Sequence, residues 1–317
     1  MDGFVVRRLS APVAASVQPM DRVLAIGKFD GLHKAHQAVI AQAIVRQNEG
    51  RGRVALFTFS PHPRYVLQGD SAYLRWLTPE AERGRIAMEY GVYESFVTTF
   101  DSAFQAQTAE EFVEHYLLPL GVKHIVVGYD FRFGRSGAYS TRDLARIASA
   151  HGVECDVVEP VDLDGIPVSS SRIREHLADG HPERAEALLG RLFEVRGKVI
   201  RGDQRGRTIG YPTANLQLTE PFVIPREGVY AVRCRLDGKT SNVGMMNIGR
   251  RPTVEQNGGL SLEVHLFDVS ADLYGREVVV GLIGRTRDER RFSSLEELKA
   301  QLGRDAVESR LLAARFT

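Results

Sequence analysis

The chain has 317 residues, which is long for one small domain and sufficient for two. Hydrophobic residues make up 43% of it and charged residues 26%, the balance of an ordinary globular protein. The formal net charge of +1 argues against broad, sequence-independent binding to nucleic acid. Composition and charge therefore indicate a globular protein that does not coat nucleic acid.

The cysteines and the N-terminal segment point to the cytoplasm. Cys155 and Cys234 are the 2 cysteines and form no CxxC pair, which disfavours a zinc site or a disulfide framework. The first twenty residues lack the apolar core of a signal peptide, and no run reaches the roughly 18 apolar residues of a membrane span. We expect a cytoplasmic protein without membrane attachment, and nothing in the pattern indicates its oligomeric state.

The first half of the chain alternates strand-like and helix-like segments. The predicted strands are 22–27, 53–59, 94–100, 123–128 and 154–159, the predicted helices are 34–47, 108–117, 141–150 and 170–177, and Thr78 followed by Pro79 marks the start of one more helix. This alternation predicts a parallel sheet covered by helices. In such sheets ligands bind beyond the carboxyl ends of the strands.

The second half is rich in short β-like runs separated by Gly, Pro and Asn. The runs are 192–200, 229–236, 242–248, 261–268 and 277–283, and a helical pattern over 294–315 closes the chain. The pattern predicts an antiparallel barrel or sandwich. We place the domain boundary in the helical stretch 181–190, giving domains 1–185 and 186–317.

A candidate phosphate site directly follows the first strand of the N-terminal half. The segment GKFDGLHKAH (27–36) ends a strand and opens a helix, whose free N–H groups and dipole attract phosphate. Gly27 and Gly31 would allow a ligand close to the backbone. His33 and His36 lie three residues apart, so both imidazoles can face a triphosphate. The alternatives are two ordinary surface histidines or a metal site, for which further Cys or His ligands nearby are missing.

The β-rich half carries a second candidate site in the segment RGRTIGYPTANL (205–216). The oxygens of Thr213 and Asn215 suit Mg²⁺, although a plain Gly/Pro loop would look similar. In SLEVHLFD, alternation places Glu263 and His265 on one face of a strand and Leu262, Val264 and Leu266 on the other. Glu263 could take a proton from a substrate hydroxyl, and the competing interpretation is a solvated strand residue.

These segments resemble the bacterial bifunctional riboflavin kinase/FAD synthetase family, within the wider HxGH nucleotidyltransferase superfamily. The resemblance rests on four N-terminal segments and five C-terminal ones. The N-terminal segments are GKFDGLHKAH, FTFSPHP (57–63), GYDFRFG (128–134) and SSSRIR (169–174), and the C-terminal ones are GRTIGYPTANL, GVY (228–230), NIGRRPT (247–253), EVHL (263–266) and DLYG (272–275). It covers roughly residues 20 to 310 and recurs in the same order along the chain.

For the N-terminal half the resemblance implies a Rossmann-like nucleotidyltransferase domain that transfers AMP from ATP to FMN, giving FAD and pyrophosphate. His33, His36 and Arg174 would carry the chemistry. The implied ATP-binding residues are Gly27, Phe29, Asp30, Gly31, His33, His36, Asp130, Phe131, Ser170, Ser171 and Arg174. Pro61, His62 and Pro63 would contact flavin. The chain departs from the family pattern at Ala35, where HxGH has glycine, and at Ser60, where FDPHP has aspartate.

For the C-terminal half the resemblance implies an antiparallel β-barrel riboflavin kinase domain with a terminal helix. Glu263 would be the general base on the ribityl 5′-hydroxyl, and Thr213 and Asn215 would hold Mg²⁺ and ATP phosphates. A loop containing Gly202, Arg205, Gly206 and Arg207 would close over the nucleotide. Asn247 and Arg285 would lie on the flavin side, although GLIGRTRDERRF departs from the family pattern FLRPExKF.

The function predicted from these resemblances is the two-step conversion of riboflavin to FMN and then to FAD, with ATP as co-substrate, Mg²⁺ as metal and no nucleic-acid or membrane partner. One alternative is a riboflavin kinase whose N-terminal domain only binds nucleotide or flavin, which Ala35 and Ser60 would favour. Another is an adenylyltransferase with a different acceptor. The kinase half argues against that last alternative, because its product would be the natural acceptor.

Overall fold

A computed structural model describes residues 3–9, 20–201, 210–236, 240–250, 259–269 and 271–315. The chain divides into two compact units, Met1–Ser170 and Ser171–Thr317. Within the described ranges, no helix is long and apolar enough to cross a membrane.

The first unit is built on a parallel sheet. Its strands are β1 (Val5–Leu9), β2 (Arg22–Ile26), β3 (Arg53–Ser60), β4 (Glu94–Thr99), β5 (Val122–Gly128) and β6 (Glu154–Val158). They lie in the order β1-β4-β3-β2-β5-β6, and every neighbouring pair is parallel. Along β2, alternate residues enter separate cores on the two faces of the sheet, which is why this strand is a continuous apolar run.

Helices join these strands. They are α1 (Lys34–Asn48), α2 (Pro63–Gln68), α3 (Glu80–Glu89), α4 (Ser102–Gln105), α5 (Ala109–Phe112) and α6 (Thr141–Ala150). Shorter turns are the 3₁₀ segments Ser71–Leu74, Leu118–Leu120 and Arg135–Gly137 and the π turn Val113–Leu117. The hairpin β7 (Asp162–Leu163) and β8 (Ile166–Pro167) precedes α7 (Ser170–Asp179), which begins at the last residue of the first unit.

The second unit contains a closed antiparallel barrel. After α8 (Pro182–Leu189) come β9 (Phe193–Ile200), β10 (Ala214–Leu218), β11 (Gly228–Leu236), β12 (Thr240–Arg250), β13 (Leu260–Leu266) and β14 (Glu277–Arg287). The barrel order is β10-β13-β12-β11-β14-β9. The terminal helix α9 (Leu295–Ala314) packs on the outside against β11, β12 and β14. The fold class is the predicted one, and of the two β architectures the barrel is present.

Several predicted elements differ from the observed ones. The helix predicted over 108–117 is one turn of α5, capped by Thr108, followed by the π turn. Helix α3 starts at Glu80 with Pro79 at its N-cap, one residue later than predicted. Strands β1 and β10 were not predicted, and each becomes a strand through its pairing with a neighbour.

A charged network fastens α1 to the edge of the sheet. Asp156 on β6 accepts from Arg46 Nε at 2.7 Å and from Gln42 Nε2 at 2.7 Å, and His124 Nε2 lies 3.2 Å from its Oδ1. Desolvation raises the pKa of this carboxyl, but the hydrogen bonds from Arg46, Gln42 and His124 outweigh it and lower the pKa to about 2. The network therefore stabilises the fold only while Asp156 is ionised.

We expect Asp156→Asn to lower the free energy of unfolding of the first unit by roughly 2 kcal/mol at pH 7. Because the folded pKa lies below the unfolded one, this loss should be full above about pH 4 and should shrink as the pH falls towards 2. Urea unfolding followed by the fluorescence of Trp76, the chain's 1 tryptophan, measures it. Asp21→Asn is the control, since that carboxylate is exposed beside Lys123 and should contribute under about 1 kcal/mol. A pH-independent difference for Asp156→Asn would contradict the assignment.

Candidate active sites

The first candidate site lies where the order of the parallel sheet reverses. The chain runs from β2 through β3 to β4 on one side, and β5 and β6 lie on the other side of β2. The loops that follow β2 and β5 therefore diverge and leave a crevice beyond the carboxyl ends of these strands. Gly27 directly follows β2, and Gly128 is the last residue of β5. Both predicted nucleotide segments thus open at the same edge of the sheet.

The loop after β2 has an unusual backbone. Phe29 has φ 50°, Gly31 φ 99° and Leu32 φ 43°, all in the left-handed region. Phe29 and Leu32 are not glycines, so each such conformation costs on the order of 1–3 kcal/mol and is held in place by the surrounding structure. Both side chains are buried, Phe29 at 1% and Leu32 at 0% exposure, which supplies that constraint. Successive residues in such conformations turn backbone N–H groups towards a concavity that suits an anion.

The two histidines of this loop are stacked on each other. His33 is the N-cap of α1, and its Nδ1 accepts from the backbone N–H of His36 at 3.4 Å. The two rings lie 3.7 Å apart with an interplanar angle of 16°, and Phe29 packs against His36 at 5.2 Å. The structure thus brings together His33, His36 and the start of α1. Their imidazoles stand where the helix dipole already favours negative charge.

Asp30 connects the loop after β2 to two other segments of the chain through hydrogen bonds. Its side chain is fully buried, and Oδ1 accepts from the backbone N–H groups of Leu77 at 2.8 Å and Thr78 at 3.2 Å. Its backbone carbonyl accepts from Ser170 Oγ at 2.7 Å. Asp30 therefore links the loop to the residues that precede α3, and its predicted role in ATP binding stays a prediction. The hydrogen bond to the Asp30 carbonyl places Ser170, a predicted ATP-binding residue, beside the loop after β2 (residues 27–33), which we call the phosphate loop.

On the β3 side of the crevice lies an aromatic and cationic cluster that the sequence prediction named only in part. His62 caps α2 and packs against Tyr73 at 4.4 Å and Trp76 at 5.3 Å between ring centroids. Arg83 lies over the Trp76 ring at 5.1 Å. Pro61 and Pro63 flank His62 in the chain. Tyr73, Trp76 and Arg83 come from the connection between β3 and β4, whose sequence offers no motif that would have indicated them.

Lys28 is a further cation at this site that the sequence prediction did not name. Its carbonyl accepts from Thr58 Oγ1 at 3.1 Å and from Arg83 Nη1 at 3.0 Å, which fixes the residue at the mouth of the loop. Lys28 is exposed, yet desolvation of its ammonium group lowers its pKa. The nearby charge of Asp130 raises this pKa, and that of Arg64 lowers it further. A ligand phosphate placed there would stabilise the ammonium form.

Two more predicted nucleotide residues lie on the β5 side of the crevice, and two lie on the second unit. Asp130 is exposed directly after β5, and Phe131 is half-buried and lies parallel to Phe133 at 5.9 Å. Ser171 and Arg174 lie on α7 within the second unit. Ser171 is exposed and Arg174 is half-buried.

The second candidate site lies on the barrel, where three strands bring polar residues into register. Glu263 on β13 pairs directly with Asn215 on β10 and with Asn247 on β12. Directly paired residues point to the same face of a sheet, so these three side chains form one polar row. Leu262 and Val264, the neighbours of Glu263 in the chain, are buried on the opposite face. The alternation predicted for this strand is present.

The residues before β10 are held against this row. Thr213 Oγ1 lies 3.4 Å from Glu263 Oε2 as a hydrogen-bond donor, and Ser261 Oγ donates to Glu263 Oε1 at 3.1 Å. His265 Nδ1 donates to the carbonyl of Pro212 at 2.8 Å. Asn215 is 7% exposed and belongs to β10, not to a turn as the sequence suggested. The structure therefore brings together Thr213, Asn215 and Glu263.

Glu289 is a carboxylate of this site that the sequence prediction missed. It follows β14 and accepts from Asn247 Nδ2 at 3.0 Å. It also lies over Gly249, where an added Cβ would come within 2.2 Å of its Oε1. Glu289 is distant in the chain from Asn247 and Gly249, and only the barrel fold brings them together.

Arg285 is not part of the same polar row. Arg285 pairs with Tyr230 on β11, which pairs with Met246 on β12. Because Met246 and Asn247 are adjacent in β12 and point to opposite faces, Arg285 lies on the face opposite to Asn247. It donates to the carbonyl of Glu227 at 2.6 Å and to Asp288. Its flavin role remains a prediction. The predicted lid residues Gly202, Arg205, Gly206 and Arg207 lie outside the described residues.

These two arrangements define a class of protein: a nucleotidyltransferase-like parallel sheet with a phosphate loop, joined to an antiparallel barrel whose polar row suits phosphoryl transfer. Comparison with known proteins agrees with this class. A family model for FAD synthetase matches residues 16–172, and one for riboflavin kinase matches residues 189–312. The chain belongs to the family of bifunctional riboflavin kinase/FMN adenylyltransferases, because its similarity to curated members extends over nearly its whole length.

Two curated relatives carry that family name. The protein from Listeria monocytogenes is 36% identical over 94% of this chain and 94% of its own length. The protein from Escherichia coli K12 is 42% identical over 91% of each chain. A crystal structure described as a macrolide-efflux protein from Streptococcus pneumoniae superposes with a TM-score of 0.89 at 32% identity, covering 97% of this chain and 99% of that one.

The comparisons confirm the family resemblance and the predicted fold class. The predicted domain border between residues 185 and 186 falls between the two matched ranges and stays a prediction. The roles of individual site residues also stay predictions, and the geometry above is what supports them.

Proposed function

We propose that the second unit phosphorylates riboflavin to FMN with ATP, and that the first unit transfers AMP from a second ATP to FMN, giving FAD and pyrophosphate. The observation that supports this proposal is the presence of two separate clusters of polar side chains on one chain, each suited to phosphate chemistry. One is the strained loop and histidine stack after β2. The other is the polar row of Thr213, Asn215 and Glu263 on the barrel.

In the kinase step, Glu263 accepts the proton of the ribityl 5′-hydroxyl while that oxygen attacks the γ-phosphorus of ATP, and the bond from the γ-phosphorus to the bridging oxygen breaks and releases ADP. The barrel register holds the carboxylate in place, because Thr213 and Ser261 each donate to one of its two oxygens. This keeps Glu263 a hydrogen-bonded acceptor at a fixed position, which a general base requires.

Mg²⁺ fits the same row. A hydroxyl, an amide oxygen and a carboxylate are hard oxygen ligands, and Mg²⁺ takes one or two of these from protein together with substrate phosphates and water. Among the described residues no group of three His, Cys, Asp or Glu could hold a metal, so a site shared with ATP phosphates is the arrangement the chain offers. Thr213 and Asn215 would hold the ion, which would neutralise phosphate charge.

In the adenylyl step, an FMN phosphate oxygen attacks the α-phosphorus of ATP and the bond to pyrophosphate breaks. His33 and His36 stand at the start of α1, where they donate to phosphate oxygens as negative charge builds up. Lys28 adds a cation at the mouth of the loop. Arg174 would counter charge on the departing pyrophosphate. Such a reaction depends on positioning and charge neutralisation rather than on a covalent protein intermediate.

A product time course tests the whole proposal. Purified protein with riboflavin, ATP and Mg²⁺ should form FMN first and FAD later. Absence of FMN with any common divalent cation would reject the kinase half. FMN that accumulates without FAD would reject the transferase half and favour a first unit that only binds nucleotide or flavin.

We expect His36→Ala to lower FAD formation by about 10²- to 10³-fold, because one charge-stabilising donor at the α-phosphorus is lost. FMN formation should stay within about twofold of wild type, since the barrel is untouched. Both products are followed in one assay by chromatography. Lys123→Ala is the control and should change neither rate, because Lys123 is exposed near the amino end of β5, away from the crevice. An unaltered FAD rate in His36→Ala would remove this histidine from the mechanism.

Glu263→Ala should have the reverse effect. Loss of a general base lowers the rate of riboflavin phosphorylation by roughly 10²- to 10⁴-fold. FAD formation from supplied FMN should remain. Wild-type kinase turnover in this variant would show that another group takes the hydroxyl proton, and Glu277→Ala, an exposed carboxylate of β14, serves as control.

A further inference from the structure

Trp76 is the 1 tryptophan of the chain, and it lies beside the phosphate loop although no motif includes it. The two residues after it, Leu77 and Thr78, donate their backbone N–H groups to Asp30 Oδ1 at 2.8 and 3.2 Å. The tryptophan is therefore fixed to the loop that holds the stacked histidines. It is half-buried, so part of its ring faces outwards.

The indole ring is braced by two neighbours. The Arg83 guanidinium covers one face at 5.1 Å, and His62 meets the ring at 5.3 Å with an interplanar angle of 61°. Arg83 is itself 4% exposed and donates to the Lys28 carbonyl at 3.0 Å and to Thr58 Oγ1 at 3.3 Å. The ring orientation is thus linked to the ends of β2 and β3, while Trp76 keeps part of its surface exposed.

The side of the crevice decides which flat ring this surface fits. Trp76 lies on the β3 side, next to His62, whereas Asp130 and Phe131 follow β5 on the other side of β2. In an in-line displacement the attacking and leaving oxygens lie on opposite sides of the phosphorus. The phosphate loop between them would hold the reacting phosphorus. Since the predicted nucleotide residues Asp130 and Phe131 occupy the β5 side, the wall that contains Trp76 is left for the acceptor.

We infer that Trp76 stacks on the isoalloxazine ring of FMN and so determines the affinity of the adenylyl-transfer site for its flavin substrate. This rests on the proposed function of the first unit. Both rings are flat, and the indole is electron-rich whereas the oxidised isoalloxazine ring is electron-poor, so offset stacking of the two adds to the burial of apolar surface. Arg83 acts as a positioning residue behind the indole, and Lys28 lies on the same loop within reach of a flavin phosphate.

The test compares Trp76→Leu and Trp76→Phe in the full-length protein. Leucine keeps apolar volume but removes the aromatic face, and phenylalanine keeps a smaller one. We expect Trp76→Leu to raise KM for FMN in FAD formation about 10-fold, with KM for ATP within twofold. Trp76→Phe should recover most of the FMN affinity. The riboflavin kinase activity of the same chains should stay within twofold and reports that the protein is folded.

Tyr93→Leu is the matched control. Tyr93 is 48% exposed and directly precedes β4, at the amino-end edge of the sheet and away from the crevice. It should leave both KM values unchanged. An unchanged KM for FMN in Trp76→Leu would overturn the inference, and so would a larger rise in KM for ATP, which would assign the surface to adenine. A wild-type protein that forms no FAD would reject the proposed function itself, which is a different result.

A measurement on the wild type keeps the inference testable should Trp76→Leu fail to fold. Collisional quenching by acrylamide reports the exposure of Trp76 alone, because no other tryptophan contributes. Saturating FMN should lower the acrylamide quenching constant at least twofold, and riboflavin, which lacks the phosphate, should lower it less. An unchanged quenching constant at FMN concentrations that saturate FAD formation would overturn the inference.

Discussion

The buried carboxylate of Asp30 is the interaction on which the first site depends. A fully buried charge is stable only when its hydrogen-bonding capacity is used, and here two backbone N–H groups, from Leu77 and Thr78, supply part of that compensation. The same residue accepts from Ser170 through its carbonyl. One residue, through its side chain and its carbonyl, thereby joins the phosphate loop, the connection between β3 and β4, and Ser170. The strained backbone at Phe29 and Leu32 persists because this neighbourhood holds it.

In the second unit, the candidate site depends on the closure of strands β9 to β14 into a barrel. Glu263 becomes a plausible base only because β10 and β12 flank β13 and present Asn215 and Asn247 in the same register. A slip of one residue would send Glu263 to the opposite face. The closed barrel leaves no free edge at which such a slip is easy, and α9 covers part of its outer surface. The position of Glu263 between Asn215 and Asn247 makes this row suitable for phosphoryl transfer.

Much of the fold could be predicted from the sequence because its main strands have strong local patterns. Strand β2 is buried throughout and appears as an apolar run, and β13 alternates visibly. Strands β1 and β10 were not predicted, because each lacks a clear local strand pattern. Strand β1 carries Arg7 and Arg8 at an exposed sheet edge, and β10 begins within a segment whose Pro and Gly residues resemble a loop. In both cases the strand is created by its partner, which a local pattern does not contain.

The sequence by itself determined the order of the two domains, the phosphate loop with its paired histidines, and the identity of Thr213, Asn215 and Glu263 as candidate site residues. These depend on residues close together in the chain, or on alternation within one strand. Only the tertiary structure decided that Trp76, Arg83 and Lys28 stand beside that loop, that Glu289 binds Asn247, and that Arg285 follows a different face. Each of these contacts joins segments that are distant in sequence, and their proximity is set by sheet order and register, which no short motif encodes.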